Sequence, residues 1–250
     1  FQLEPIAAAF DYEQRVTAEG TVLVVDIGGG TSDFTVARVG PDRAVFADRG
    51  NDILATTGVH IGGTDFDQLL NLRHVMPLLG LGHVGPHGRS MPSSLFHALS
   101  TWHLVPQCYT RKSLHDAAQL RSDYTEPALH KRLMHVLHER QGHRILAHTE
   151  AAKIDCSNTR ADAQIELDCI ERGLGVPLTP AGLDATLQAQ VASIVACAQA
   201  CVARSGVPAN RLQALYLTGG SSALAPLGAA LGEAFPGAQL VTGDRLGSVA

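Results

Sequence analysis

An α/β fold is expected from three stretches of this 250-residue chain. Val22 to Val25 is a continuous run of valine and leucine, the composition of a strand covered on both faces. Leu215 to Thr218 is a second buried-type strand and runs into Gly219-Gly220-Ser221-Ser222. Between them Thr179-Pro180 opens a long helical pattern, with threonine as cap and proline at the first helical position. Leu187, Val191, Ile194, Val195, Ala198 and Val202 line its core face, and Gly206 ends it.

The remaining elements follow in order. Ile6 to Phe10 reads as a helix with Pro5 in its first turn and Glu4 complementing the helix dipole. Ala44 to Phe46 and Ile53 to Thr57 read as strands. Thr64 and Asp67 resemble a capping box for a helix continued by Phe66, Leu69, Leu70 and Arg73, and the preceding Gly62-Gly63 suggests a tight connection or hinge. Gly80 to Ser94, rich in Gly, Pro, His and Ser, reads as the most mobile loop. Residues 111–150 are polar and helical, with Leu129, Leu133, Val136 and Leu137 as the apolar stripe. Ala163 to Cys169 alternates as a strand with one polar face. Leu224 to Phe235 is helical, Gln239 to Val241 extended, and a further helix begins before Ala250.

Chemistry concentrates between the first strand and the next. Asp26-Ile27-Gly28-Gly29-Gly30-Thr31-Ser32-Asp33 ends a strand on a carboxylate, passes three glycines, and leaves along Phe34, Val36 and Val39 as a hairpin. Consecutive glycines permit positive φ and close approach to a ligand, and their N–H groups can converge on an anion. Asp26 stands where it can hold a metal ion through water, and Thr31 adds a hydroxyl. The turn lacks the lysine of a P-loop, and its exit is a strand rather than the helix of a dinucleotide fingerprint. A second ligand contact is expected where Gly219-Gly220 lies between strand and helix.

Bulk properties narrow the classes. A formal charge of −5 gives no electrostatic footprint for nucleic acid, and no apolar run approaches the length that spans a bilayer. The five cysteines have no metal spacing and suit a reduced, cytoplasmic protein, with Cys197 and Cys201 packing one helical turn apart. His135 and His138 could share a helix face, but they lack the spacing of a known zinc motif. The chain opens on Phe1, so it is expected to be a piece of a longer protein.

Several segments resemble one family, the seventy-kilodalton heat-shock (DnaK-type) chaperones. The hairpin Asp26 to Asp33 is similar to the family's second phosphate motif. Leu3-Glu4-Pro5-Ile6-Ala7-Ala8-Ala9 resembles the segment that precedes it, and Ile61-Gly62-Gly63-Thr64-Asp65-Phe66-Asp67 resembles its Leu-Gly-Gly-Glu-Asp-Phe-Asp. Leu217-Thr218-Gly219-Gly220-Ser221 resembles the adenosine motif, which Asp244 would close. The divergent 73–145 region and the opening look closer to the YegD-like branch.

The resemblance implies the second lobe of an actin-like (ribonuclease H-like) ATPase: a mixed sheet flanked by helices, with an inserted α+β subdomain. Residues 1–61 and 184–250 would form the base and 62–183 the insertion. Gly28, Gly29, Gly30 and Thr31 would hold the β- and γ-phosphates of ATP or ADP. Asp26 and Glu4 would bind the hydration shell of Mg²⁺ and position the attacking water. Gly219, Gly220 and Ser221 would meet the adenosine and α-phosphate, with Asp244 near the ribose. The helix near 145–157 would grip the adenosine through Glu150, Lys153 and Ser157, which spacing places on one face.

The pattern also has departures. Ile154 and Ala223 replace arginines that stack on adenine in the family, contacts worth about 0.5–2 kcal/mol each. The family's first phosphate motif, the first lobe's lysine and the peptide-binding sandwich have no counterpart here. Phosphoryl transfer needs both sides of the cleft, so this chain alone is expected not to turn over ATP. The implied partners are the first lobe, and beyond it protein clients or co-chaperones. An actin-like-fold small-molecule kinase and a degenerate, weakly nucleotide-binding interaction module are the alternatives.

Overall fold

The computed structural model describes residues 4–43, 49–86 and 88–243, apart from the side chains of residues 4–7 and of Phe10. In chain order come α1 (Glu4–Glu13), β1 (Gly20–Ile27), β2 (Ser32–Val39), β3 (Ile53–Val59) and α2 (Gly63–Leu70). Next are α3 (Ser94–Leu99), α4 (Arg111–Gln119), α5 (Pro127–His138) and α6 (Gly142–Thr159). The series ends with β4 (Ala163–Glu166), β5 (Gly175–Leu178), α7 (Pro180–Ser205), β6 (Ala214–Thr218), α8 (Ala225–Ala234) and β7 (Gln239–Thr242). Two compact units result, Phe1–Gly63 with Gln188–Ala250, and Thr64–Leu187. The strand expected at Ala44 to Phe46 and the helix expected before Ala250 lie outside the described residues.

The first unit is a mixed five-stranded sheet in the order β3-β2-β1-β6-β7. β1 pairs antiparallel with β2 and parallel with β6. Alternation along β1 sends Val22 and Val24 to one face, where they join Ala8, Ala9 and Tyr12 of α1 and Tyr216 of β6 in one core cluster. Leu23, Val25 and Ile27 point to the other face and are equally buried, so the continuous apolar run is what covering both faces requires. On α7 the buried Cys201 sets its thiol against the Phe34 and Ala55 carbonyls, and the Cys197 thiol reaches Thr57 Oγ1 at 3.5 Å. All five cysteines are free, and burial pushes the Cys108 thiol up to about 11 and raises those of Cys156, Cys169 and Cys201.

Helix α7 corrects one expectation. Over 26 residues it is long and apolar enough, by length and composition, to cross a membrane. Part of its apolar surface is covered within the protein, since Leu187, Ile194, Ala198 and Cys201 are fully buried. Its start is capped as expected, with the Gly182 N–H donating to Thr179 Oγ1 at 3.0 Å, and Gly206, at φ +72°, follows its end.

The second unit is mostly helical, with the antiparallel pair β4–β5 beside it. The strand expected through Cys169 stops at Glu166: the Leu167 N–H turns to the Leu174 carbonyl and closes a hairpin onto β5, an element absent from the sequence reading. Hydrogen bonds anchor the described residues of the Gly80–Ser94 loop at several points. Gly85 N–H bonds to the Arg89 carbonyl at 2.8 Å, and the Thr125 N–H donates to His83 Nε2 at 3.1 Å. Of the expected pair His135 and His138, His135 bonds the Cys169 carbonyl; elsewhere on α5, buried His130 bonds the Ala117 carbonyl. No group of three or more His, Cys, Asp or Glu among the described residues is placed to hold a metal ion.

A buried ion network ties the end of α1 to the sheet. Arg49 donates to both carboxylate oxygens of Glu13, at 2.9 and 2.8 Å, and to Asp52, which also receives Arg43. Glu13 Oε1 accepts the Gly40 N–H at 2.8 Å as well. Burial pushes the Glu13 carboxyl up, but the Arg49 and Gly40 hydrogen bonds outweigh it and hold the group below its ordinary value. A depressed carboxyl stabilises the fold above the unfolded-state pKa and loses that effect as pH falls through the folded one. Glu13→Gln removes the carboxylate charge that Arg49 pairs with at the partly buried end of α1, so denaturant unfolding at pH 7 should show a loss of about 1–3 kcal/mol. The gap between wild type and variant should shrink on acidification below about pH 4.

Candidate functional site

The β1–β2 register sets Asp26 opposite Asp33, and the β1–β6 register sets it beside Thr218. β1 therefore ends with a carboxylate flanked by strands on both sides. The turn that follows closes through the Gly28 N–H and the Thr31 carbonyl, 2.9 Å apart. Positive φ is not the reason for its glycines: none of Gly28, Gly29 and Gly30 is in the left-handed region. Gly29 and Gly30 are exposed, and a Cβ on either would meet nothing within 4 Å. The fold itself would accept side chains there. What the glycines leave is open space beside two peptide units, the room that an anion such as a phosphate needs, so the residues present fit a bound phosphate group.

Two other glycine segments press on this turn. The Gly63 N–H donates to the Gly28 carbonyl at 3.0 Å, and Ser32 Oγ donates to the Ile61 carbonyl at 2.7 Å. A Cβ at Gly62 would lie 2.6 Å from Gly29 and Gly30 backbone atoms, an approach only glycine allows. Gly62-Gly63 stands where the first unit passes into the second, as a connection between parts would, and the pair also forms a seat under the turn. α2 starts at Gly63, so Thr64 lies within its first turn rather than ahead of it as a cap.

The third segment follows β6. Gly219, at φ +84°, packs so closely on β1 that a Cβ would fall 2.5 Å from Asp26 Oδ1. Ser221 sends its N–H to the Ile27 carbonyl at 3.2 Å and sets its hydroxyl against Gly63. α8 begins only at Ala225, with the Ser222 N–H bonded to the Gly219 carbonyl in the intervening turn. Gly219-Gly220 thus lies between strand and helix as expected, within a turn in which the Ser221 amide is already occupied. Within the first unit, Asp26, Gly28, Gly29, Gly30, Thr31, Gly219 and Ser221 are brought together, Gly220 adjoins them, and Gly62 and Gly63 are added to the set. The pairing of glycines in Ile61-Gly62-Gly63 was the available signal for these two. α1 begins at Glu4, whose side chain lies outside the described residues, as does all of Asp244.

The second unit carries the other predicted residues on α6. Lys153 is buried, with Nζ 2.8 Å from Asp67 Oδ1 on α2. Ser157 is buried too, whereas Glu150 is exposed, so the expected shared face is not equally open to a ligand. Ile154 is 48% exposed, an apolar side chain left in solvent. Burial pushes the Asp67 carboxyl up to about 6; Lys153 pulls it down and Glu150 pushes it further up.

Comparison with known proteins bears on the first unit most directly. The family model described as "Hsp70 protein" matches residues 3–77. A chaperone protein HscA homolog from a Shewanella species is 32% identical over 123 residues, which is 49% of this chain and 17% of that protein. Chaperone protein HscA of Proteus mirabilis is 44% identical over 68 residues, 27% of this chain and 10% of that protein. The same protein of Buchnera aphidicola is 39% identical over 69 residues, again 27% and 10%. The chain thus spans less than a fifth of the length of these curated relatives.

Gly62→Ala should overpack the turn and lower unfolding stability by about 1–3 kcal/mol. Gly30→Ala should stay within about 0.5 kcal/mol of wild type, because its Cβ enters open space. Carboxyl NMR titration should place the Asp67 midpoint near 6, and Lys153→Met should move it higher. A folded-state pKa raised above the unfolded one means the native protein holds that proton more tightly. The contribution of Asp67 to stability should therefore fall as pH rises from about 4 to about 6 and stay level above.

Proposed function

We propose that this chain is the second lobe of the actin-like ATPase domain of an Hsp70-type chaperone, in a YegD-like branch, and binds ATP or ADP with Mg²⁺ in the complete protein. The observation that carries the reading is the convergence of three glycine segments on the end of β1. Gly62-Gly63 and Gly219 are fixed there by close packing, while Gly29 and Gly30 stay open. The family match over residues 3–77 takes in two of those segments.

In this reading Gly28, Gly29, Gly30 and Thr31 hold the β- and γ-phosphates, and Gly219, Gly220 and Ser221 hold the α-phosphate and adenosine. Asp244 lies toward the ribose. Asp26 and Glu4 hold the Mg²⁺ hydration shell and orient water. Bound Mg²⁺ supplies charge neutralisation for the phosphates. Glu150, Lys153 and Ser157 grip the adenosine. Gly219 confines the Asp26 carboxylate, which favours a fixed position for it over a mobile one. A first lobe supplies the facing wall, and closure of the two lobes around nucleotide is the mechanical output. Protein clients and co-chaperones act on that output, in the cytoplasm.

A second reading, an interaction module with weak nucleotide affinity, is favoured by one specific observation. Lys153 is already paired with Asp67, and Ile154 stands exposed beside it. Isothermal titration of ADP-Mg²⁺ into the full-length protein separates the two. The ATPase reading expects saturable binding, weakened by Asp26→Asn, and no turnover by this chain alone. No binding at millimolar nucleotide favours the module, and phosphate release that depends on an added sugar or alcohol favours a kinase.

A further inference from the structure

The second unit contains a cleft of about 570 Å³ that takes no part in the reading above. One wall is the turn that follows α2, with Leu69, Leu72, Arg73 and His74; the other is the first turns of α7, with Gly182, Ala185 and Thr186. Its volume falls in the range of small-molecule sites. Leu69, Leu72 and Ala185 supply apolar surface.

The charge on its lining is positive and comes from Arg73. Arg73 is exposed and has no carboxylate partner among the described residues. The acids on the two walls are already engaged: Asp184 takes a bidentate pair from Arg160 at 3.0 and 2.8 Å, and Asp67 takes Lys153. The Thr186 hydroxyl donates to the Gly182 carbonyl at 2.7 Å. His74 Nε2 is buried without a hydrogen-bond partner among the described residues, an arrangement folded proteins seldom leave unused. Burial and then Arg73 lower its pKa, which favours the neutral ring.

We propose that this cleft binds a small amphipathic oxyanion, a carboxylate or phosphate on a short apolar body. Arg73 pairs with the anion, and Leu69, Leu72 and Ala185 cover the body. Guanidinium suits planar carboxylate and phosphate equally, so both head groups belong in the test.

The experiment is an NMR titration of the whole chain with phenyl phosphate, with phenylacetate, and with benzylamine as the charge-reversed probe. Either anion should move the His74 ring signals and the Gly182, Ala185 and Thr186 amides saturably at low-millimolar concentration, and benzylamine should not. Comparing the two anions tells phosphate from carboxylate preference. Arg73→Gln, at an exposed position, should weaken binding about tenfold. Ala185→Trp, which fills the cleft from its rim, should abolish it, with unchanged circular dichroism in both variants. The proposal is overturned by shifts confined to Gly29 and Gly30, by an equal response to benzylamine, by no response, or by unchanged affinity in Arg73→Gln.

Discussion

The close approach of Gly62-Gly63 to the Gly28–Gly30 turn is the contact on which the candidate site depends. Two backbones meet there without an intervening side chain, joined by the Gly63 N–H and the Gly28 carbonyl. A turn with nothing behind it would have many conformations and no reason to favour one that fits a phosphate. With its inner side seated, the turn keeps its outer side free, and Gly29 and Gly30 stay open to solvent. Gly219 performs the matching task for the carboxylate, closing one side of Asp26 with backbone alone. Rigidity and openness come from the same residue type used for opposite ends.

Electrostatics is arranged differently at the two ends of the sheet. Where α1 ends, Glu13 and Asp52 are buried and pair with the partly buried Arg49 and Arg43, so opposite charges offset one another there. At the end of β1, Asp26 and Asp33 stand across from each other on neighbouring strands, one beside Gly219 and one over Gly58. Paired acids at a strand end are what a hydrated cation would compensate. The first arrangement holds the end of the helix in place; the second sets two carboxylates on neighbouring strands at the site.

Much of this was legible in the sequence because it is local. The hairpin, β6 and α7 announce themselves through apolar runs, a cap at Thr179 and a glycine at 206, each a short-range signal. The strand β5 was missed because it is four residues long and carries Pro177. Gly62-Gly63 was legible as a connection between units, but its close approach to the turn was not, because a glycine pair looks the same in sequence for either task. The Lys153–Asp67 pair was not legible at all: periodicity puts Lys153 with Glu150 and Ser157, and only the packing of α6 on α2 decides which carboxylate it meets. The charge network around Arg49 was missed for the same reason, since Glu13 lies far in sequence from Arg43, Arg49 and Asp52.

The free thiols have a use beyond packing. Cys108, Cys156, Cys169 and Cys201 are buried, and burial raises the pKa of each, so an alkylating reagent finds little thiolate in the native fold. Three of them belong to Thr64–Leu187 and one to the unit containing the sheet. Each unit thus carries an internal clock for its own local opening, and the rate at which a given cysteine is labelled would report which unit loosens first when a ligand is added or removed.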